Sequence, residues 1–141
     1  MLNKRDFICD LALRWVGKPY LWGGDDPVAG FDCSGLMVEL LTSVGKIPRG
    51  ADLTAEGLRQ RFLAVTQPAR GCLVFWGDQQ KGATHVELLL DEDLAIGASG
   101  GGSKTITLEE AIRTNAFIKV RPWRSREGGI GFRDPFLQGS P

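Results

Sequence analysis

The feature that most constrains this chain is a stretch of backbone, Lys18 to Phe31, that cannot continue a helix. Pro19, Gly23, Gly24, Asp25, Asp26, Pro27 and Gly30 crowd into it, and these residue types break helices and populate turns. The next helix is therefore delayed until Asp32 or Cys33. Its core stripe is Met37, Leu40, Leu41 and Val44, and Gly45 is a natural stop. The loop thus delivers Cys33 to a helix start. Before the loop, Phe7, Ile8, Leu11, Trp15 and Val16 recur at helical spacing, which predicts an amphipathic helix over residues 3–16 ended by Gly17. Cys9 lies near its apolar face and reads as core.

The second half has a different rhythm. Residues 54–63 predict a short helix with Thr54 as N-cap. Leu73-Val74-Phe75-Trp76 reads as a buried strand, and a polar hairpin-like connection, Gly77 to Gly82, leads to another strand over 84–90. Leu94 to Ala98 predicts a further strand, running into the flexible Ser99-Gly100-Gly101-Gly102-Ser103. Thr107-Leu108-Glu109-Glu110 has the pattern of a capping box for a helix over 108–114, and Phe117 to Arg121 is a last strand. Helices first and an antiparallel run of strands afterwards predict an α+β fold, with N-terminal helices packed on an antiparallel sheet. A chain of 141 residues fits one domain. The division expected is a main domain over 1–123 and a tail over 124–141 that packs on that domain or frays from it, rich in Gly128, Gly129, Gly131, Pro135, Gly139 and Pro141.

Composition closes off several classes. The hydrophobic fraction of 43% and charged fraction of 24% suit a packed globular core. Net charge is zero, which is not the basic footprint of a nucleic-acid binder. No run of about 18 apolar residues exists to cross a membrane. Three widely spaced cysteines, Cys9, Cys33 and Cys72, do not form a disulfide scaffold. His85 is the only histidine, so a metal site built on several histidines is excluded. No metal or organic cofactor is expected.

The chemistry concentrates on two residues. A thiol at a helix N-terminus faces unpaired N–H groups and the positive end of the helix dipole, both of which favour thiolate. The same N–H groups can receive the oxyanion of a tetrahedral intermediate. Cys33 is so placed in Phe31-Asp32-Cys33-Ser34-Gly35, with small neighbours that let substrate approach. His85, in Ala83-Thr84-His85-Val86-Glu87, is the one imidazole available as its base. A lone histidine on a strand can equally be structural.

Two blocks carry a resemblance. Gly17-Lys18-Pro19-Tyr20-Leu21-Trp22-Gly23-Gly24 followed by Phe31-Asp32-Cys33-Ser34-Gly35-Leu36 resembles the NlpC family of bacterial cell-wall cysteine endopeptidases. So does Gly71-Cys72-Leu73-Val74-Phe75-Trp76 followed by Thr84-His85-Val86. The likeness runs over roughly residues 5–122. It implies a circularly permuted papain-like fold and hydrolysis of the bond between D-glutamate and a diamino acid in peptidoglycan stem peptides. It implies Cys33 as nucleophile, His85 as base and Tyr20 lining the site near the thiol. Asp32 and Ser34 would contact the free amine of the stem peptide. Trp22 reads as packing.

The pattern breaks at two places. The family usually has a polar residue, most often His, that orients the base from the next strand. This chain reads Ile96-Gly97-Ala98-Ser99, with Gly97 at that position. Glu87, two residues after His85 and on the same strand face, is the favoured substitute. A backbone carbonyl near Gly97, the Ser99 hydroxyl, or a weakened dyad with no orienter are the alternatives. Cys72 stands where the family usually has Asp and reads as structural.

The expected function is therefore a cysteine endopeptidase acting on peptidoglycan peptides through a Cys33 thioester. An amidase or acyltransferase on the same fold is a rival, as is a phage-tail component with vestigial catalysis. Met1 to Val16 shows no secretory signal because Lys4, Arg5, Asp6, Asp10 and Arg14 interrupt it. Read on its own, the chain is expected to be made in the cytoplasm. It would reach the wall after lysis, by virion delivery or by non-classical export, with phage tail proteins as candidate partners.

Overall fold

A computed structural model describes residues 3–26 and 30–137. Pro27, Gly139 and Pro141 lie outside the described residues. Asn3 caps α1 (Lys4–Leu13) by accepting the Asp6 N–H at 3.2 Å, and the helix buries Ile8, Cys9 and Ala12. It stops short of the residue 16 that periodicity predicts. The reason is tertiary: Gly17 N–H donates to the Ile118 carbonyl and Tyr20 N–H to that of Ala116. The chain has left the helix to lie along a distant strand, and Val16 is exposed.

The loop after it is stapled by a two-residue ladder, β1 (Asp25–Asp26) against β2 (Gly30–Phe31). Helix α2 (Cys33–Ser43) then begins under its N-cap Asp32 and buries Leu36, Met37, Leu40 and Leu41. Thr54 caps α3 (Ala55–Arg61). The strands follow as β3 (Leu63–Val65), β4 (Leu73–Asp78), β5 (Gly82–Leu89) and β6 (Leu94–Ser99). Helix α4 (Leu108–Thr114) starts at the N-cap Thr107 and ends at Asn115 in the left-handed region. After it come β7 (Phe117–Pro122), a 3-10 turn (Trp123–Ser125) and β8 (Gly129–Asp134).

The large sheet has the order β3-β8-β4-β5-β6-β7 with every neighbouring pair antiparallel. Its main core lies against the helices: Leu73 and Phe75 of β4 meet Ile8, Leu36, Leu40 and Leu41 there. Alternation sends Cys72, Val74 and Trp76 to the opposite face, where Trp123 and Phe132 cover them. Both faces of β4 are therefore buried, which accounts for its unbroken apolar run. No helix among the described residues is long and apolar enough to cross a membrane.

Of the two alternatives for the tail, the described part takes the packed one. Residues 129–134 form β8, inserted between β3 and β4. The glycines that suggested looseness face the bulged part of β4, where Gly129 and Gly131 pair with Trp76 and Phe75. The strand is also pinned from outside. Arg5 bridges Asp134 at 2.8 Å, and Arg133 donates to the Phe62 carbonyl at 2.9 Å. A chain ending at residue 123 should lose cooperative thermal unfolding followed by circular dichroism. A melting curve matching the full chain would show that β8 is dispensable.

Candidate active site

The site forms where the sheet opens. β5 pairs with β4 along nearly its whole length but with β6 only at Leu88↔Ile96 and Leu89↔Ala95. Beyond those pairs the two strands part. Thr84 and His85 line one lip and Ala98 to Gly102 the other, around a cavity of about 280 Å³ that Cys33 and Tyr20 also line. A second cavity, of about 450 Å³, lies on the other side of Cys33, with Asp32, Ser34, Asp52 and Leu53 in its wall. Tyr20, Trp22, Cys33 and Thr84 border both. The thiol therefore sits at the waist of a two-lobed cleft.

Helix α2 packs across β5 and β6, and its first turn is held by close approach of the loop. A Cβ at Gly35 would overlap the Gly24 carbonyl oxygen, so only glycine lets the loop close on the helix there. Asp32 does two jobs. Its Oδ1 accepts the Gly35 N–H at 2.7 Å and its Oδ2 accepts the Gly23 N–H at 2.9 Å. One carboxylate thus caps the helix and fixes the loop. Strand β5 is anchored at its start by Glu56, which accepts the Ala83 N–H at 2.7 Å.

His85 is buried, and Nε2 lies 2.7 Å from Oε2 of the buried Glu87. That is the ring's one hydrogen bond among the described residues, and it leaves Nδ1 as the nitrogen able to accept a proton from the thiol. Trp76, opposite His85 in the ladder, packs tilted beside the ring with centroids 5.3 Å apart. Continuing the β5–β6 register by one step puts Gly97 opposite Glu87. A Cβ at residue 97 would overlap Cγ of Glu87 and stand 2.9 Å from its Cδ. The glycine that removes a side chain from β6 is the same residue that makes room for the carboxylate on β5.

These blocks meet in space as they do in sequence. A match to the NlpC/P60 family spans residues 17–122. This chain belongs to the NlpC/P60 family. It is 33% identical over 94 residues to the bifunctional muramidase/DL-endopeptidase CwlT of Bacillus subtilis (strain 168), covering 64% of this chain and 28% of that protein. It is 35% identical over 102 residues to dipeptidyl-peptidase 6 of Lysinibacillus sphaericus, covering 71% and 34%. The chain spans about a third or less of these relatives' length. Among solved structures, the peptidoglycan hydrolase RipB of Mycobacterium tuberculosis superposes with a TM-score of 0.71 at 26% identity, covering 96% of this chain and 66% of that one. The NlpC/p60 domain of the peptidoglycan hydrolase SagA gives 0.68 at 26% identity, covering 94% and 99%. The architecture is the expected α+β papain-like one.

In this NlpC/P60 domain burial works against the thiolate that a helix start favours. Burial pushes Cys33 up to about 11, and the negative charges of Asp32 and Glu87 push the same way. The Val86 and Ser34 N–H groups pull down, but by less than burial raises it. Burial also raises the Tyr20 hydroxyl, so it stays protonated at the cleft wall. Ser34 is half-buried, its hydroxyl 3.5 Å from Asp32 Oδ1. Trp22 is corrected: it is 54% exposed in the cleft mouth and does not serve as core packing. Its backbone is fixed by donation to the Thr105 carbonyl at 2.7 Å. Reading motifs also missed Arg126 and the place of Ser99, which line the His85 side of the cleft. No group of three or more His, Cys, Asp or Glu side chains is disposed to hold a metal among the described residues.

The raised thiol gives a signed expectation. Because the neutral form is favoured, the rate of Cys33 alkylation by iodoacetamide should keep rising with pH beyond 9, toward its titration near 11. A rate plateau reached below pH 7 would show an ion pair already formed in the empty cleft.

Proposed function

We propose that this domain is a cysteine endopeptidase that hydrolyses peptidoglycan stem peptides at the D-glutamyl–diamino acid bond. The observation that carries this reading is the joint placement of Cys33 and of a carboxylate-held His85 on one cavity. The names of the relatives, among them a DL-endopeptidase and peptidoglycan hydrolases, support the substrate class.

The chemistry starts from the Cys33 thiol, which burial favours over thiolate. Nδ1 of His85 takes the thiol proton as Sγ attacks the scissile carbonyl carbon, and Glu87 stabilises the imidazolium that results. The charge moves to the carbonyl oxygen. Gly35 and Leu36 donate their N–H groups to Asp32, which caps the helix. The Cys33 N–H, at the first residue of the helix, can receive the oxyanion. The tetrahedral intermediate collapses, the C–N bond breaks, and the imidazolium protonates the leaving amine. Water, deprotonated by His85, then opens the thioester and restores the thiol.

Digestion of purified peptidoglycan read by mass spectrometry tests the reaction. Wild type should release fragments with a new diamino-acid amine, and Cys33→Ala should lose at least about 10³-fold in rate. Identical products from both proteins would end the proposal. Transfer of the acyl group to an added amine, with little hydrolysis, would instead mark an acyltransferase.

The orienting role of Glu87 is tested by exchange. Glu87→Ala should lower kcat about 10²-fold or more, because the ring loses its partner. Gly97→His alone should also lower activity, since the new side chain overlaps Glu87. The double variant should recover at least about tenfold over Glu87→Ala, with the orienter moved to the other strand. No recovery, with the fold intact, would show that Glu87 does not act by holding the ring.

A further inference from the structure

The two lobes of the cleft carry opposite charge. The lobe on the helix side of the thiol has Asp32 and Asp52 in its wall. The lobe on the His85 side has Arg126. Arg126 comes from the turn that leads into β8, beyond the residues matched to the family. Its backbone is tied to the site: Trp76 Nε1 donates to the Arg126 carbonyl at 3.1 Å, and Gly77 N–H donates to the Gly128 carbonyl at 3.0 Å. The guanidinium lies 5.7 Å from the Trp76 ring, and Trp76 in turn packs beside His85. Trp76 therefore sets where the cation stands relative to the base. No carboxylate pairs with Arg126 among the described residues.

A second group reinforces the first. Ser99 is only 2% exposed yet borders the same lobe. Its Oγ accepts from the Arg121 guanidinium at 2.7 Å. With one lone pair accepting from Arg121, the hydroxyl still has its own hydrogen to donate, and among the described residues it donates to nothing. A buried hydroxyl backed by a cation, with a second cation at the mouth, suits a small anion.

We infer that the Ser99–Arg126 lobe is a carboxylate subsite for the leaving half of the substrate. The assignment of side follows from the reaction proposed above, on which this inference rests. His85 must reach the leaving amine to protonate it, and His85 lines this lobe but not the other. The fragment that departs with a free amine thus lies against Arg126 and Ser99. The anion they recognise is the carboxylate of the residue that supplies that amine. A diamino acid bearing a free carboxylate fits, and the same residue as a carboxamide fits poorly.

The test uses two tripeptides, L-alanyl-γ-D-glutamyl-L-lysine with its terminal carboxylate free and the same peptide as carboxamide. Wild type should favour the acid about tenfold in kcat/KM, mainly through KM. Arg126→Gln and Ser99→Ala should each bring the two values together, and Arg126→Lys should keep part of the preference because the charge remains. A wild-type enzyme indifferent to the carboxylate, or a preference that survives Arg126→Gln, overturns the subsite. Absence of any cleavage by wild type would count against the endopeptidase reading. The subsite is then read by calorimetric binding of both peptides to Cys33→Ala and to Cys33→Ala/Arg126→Gln. Tighter binding of the acid that disappears with Arg126 supports it, and equal binding of acid and amide to Cys33→Ala overturns it.

Discussion

The cleft exists because β5 keeps β4 as a partner along its length but holds β6 at only two positions. A sheet that stayed fully zipped would leave no opening beside His85. The parting of the strands turns the end of a ladder into two lips. Helix α2 packs across this same region of β5 and β6 and brings its N-terminus to the gap. The meeting of Cys33 and His85 and the space between the strands both depend on that one interruption in pairing. The bulges beside Trp76 on β4 belong to the same irregularity, as expected where a strand must re-aim its side chains.

Glu87 and Gly97 form one unit across the parting strands. A carboxylate beside the imidazole stabilises the charged ring, whereas a neutral partner would only orient it. The same carboxylate, together with burial, disfavours thiolate at Cys33. In the proposed reaction the proton leaves the thiol during attack, so the carboxylate contributes most as positive charge develops on the ring.

The C-terminal segment joins structure to chemistry. β8 fills the sheet between β3 and β4 and helps close the core on the face away from the helices. The turn that feeds it passes beside Trp76 and carries Arg126 to the cleft. One length of chain therefore completes the packing and supplies charge near the base. Asp32 is economical in the same way, since its two oxygens cap α2 and fasten the preceding loop.

Much of this was legible beforehand because it depends on local chemistry. Thr54, Asp32 and Thr107 announced helix starts, and each is an N-cap in the fold. The apolar run at Leu73–Trp76 announced a buried strand, and the order of elements announced α+β. A single histidine left one candidate base, and its spacing of two from Glu87 put both on one strand face. What local chemistry could not show was anything set by distant partners. Helix α1 ends early because Gly17 bonds to β7. The segment 129–134 is a strand because β3 and β4 flank it, although its glycines argue for a loop. Burial raises the Cys33 thiol, against the lowering that a helix start alone suggests. Sequence determined which groups are present and which local conformations they prefer; the tertiary structure decided their neighbours, and with them burial, pairing and charge.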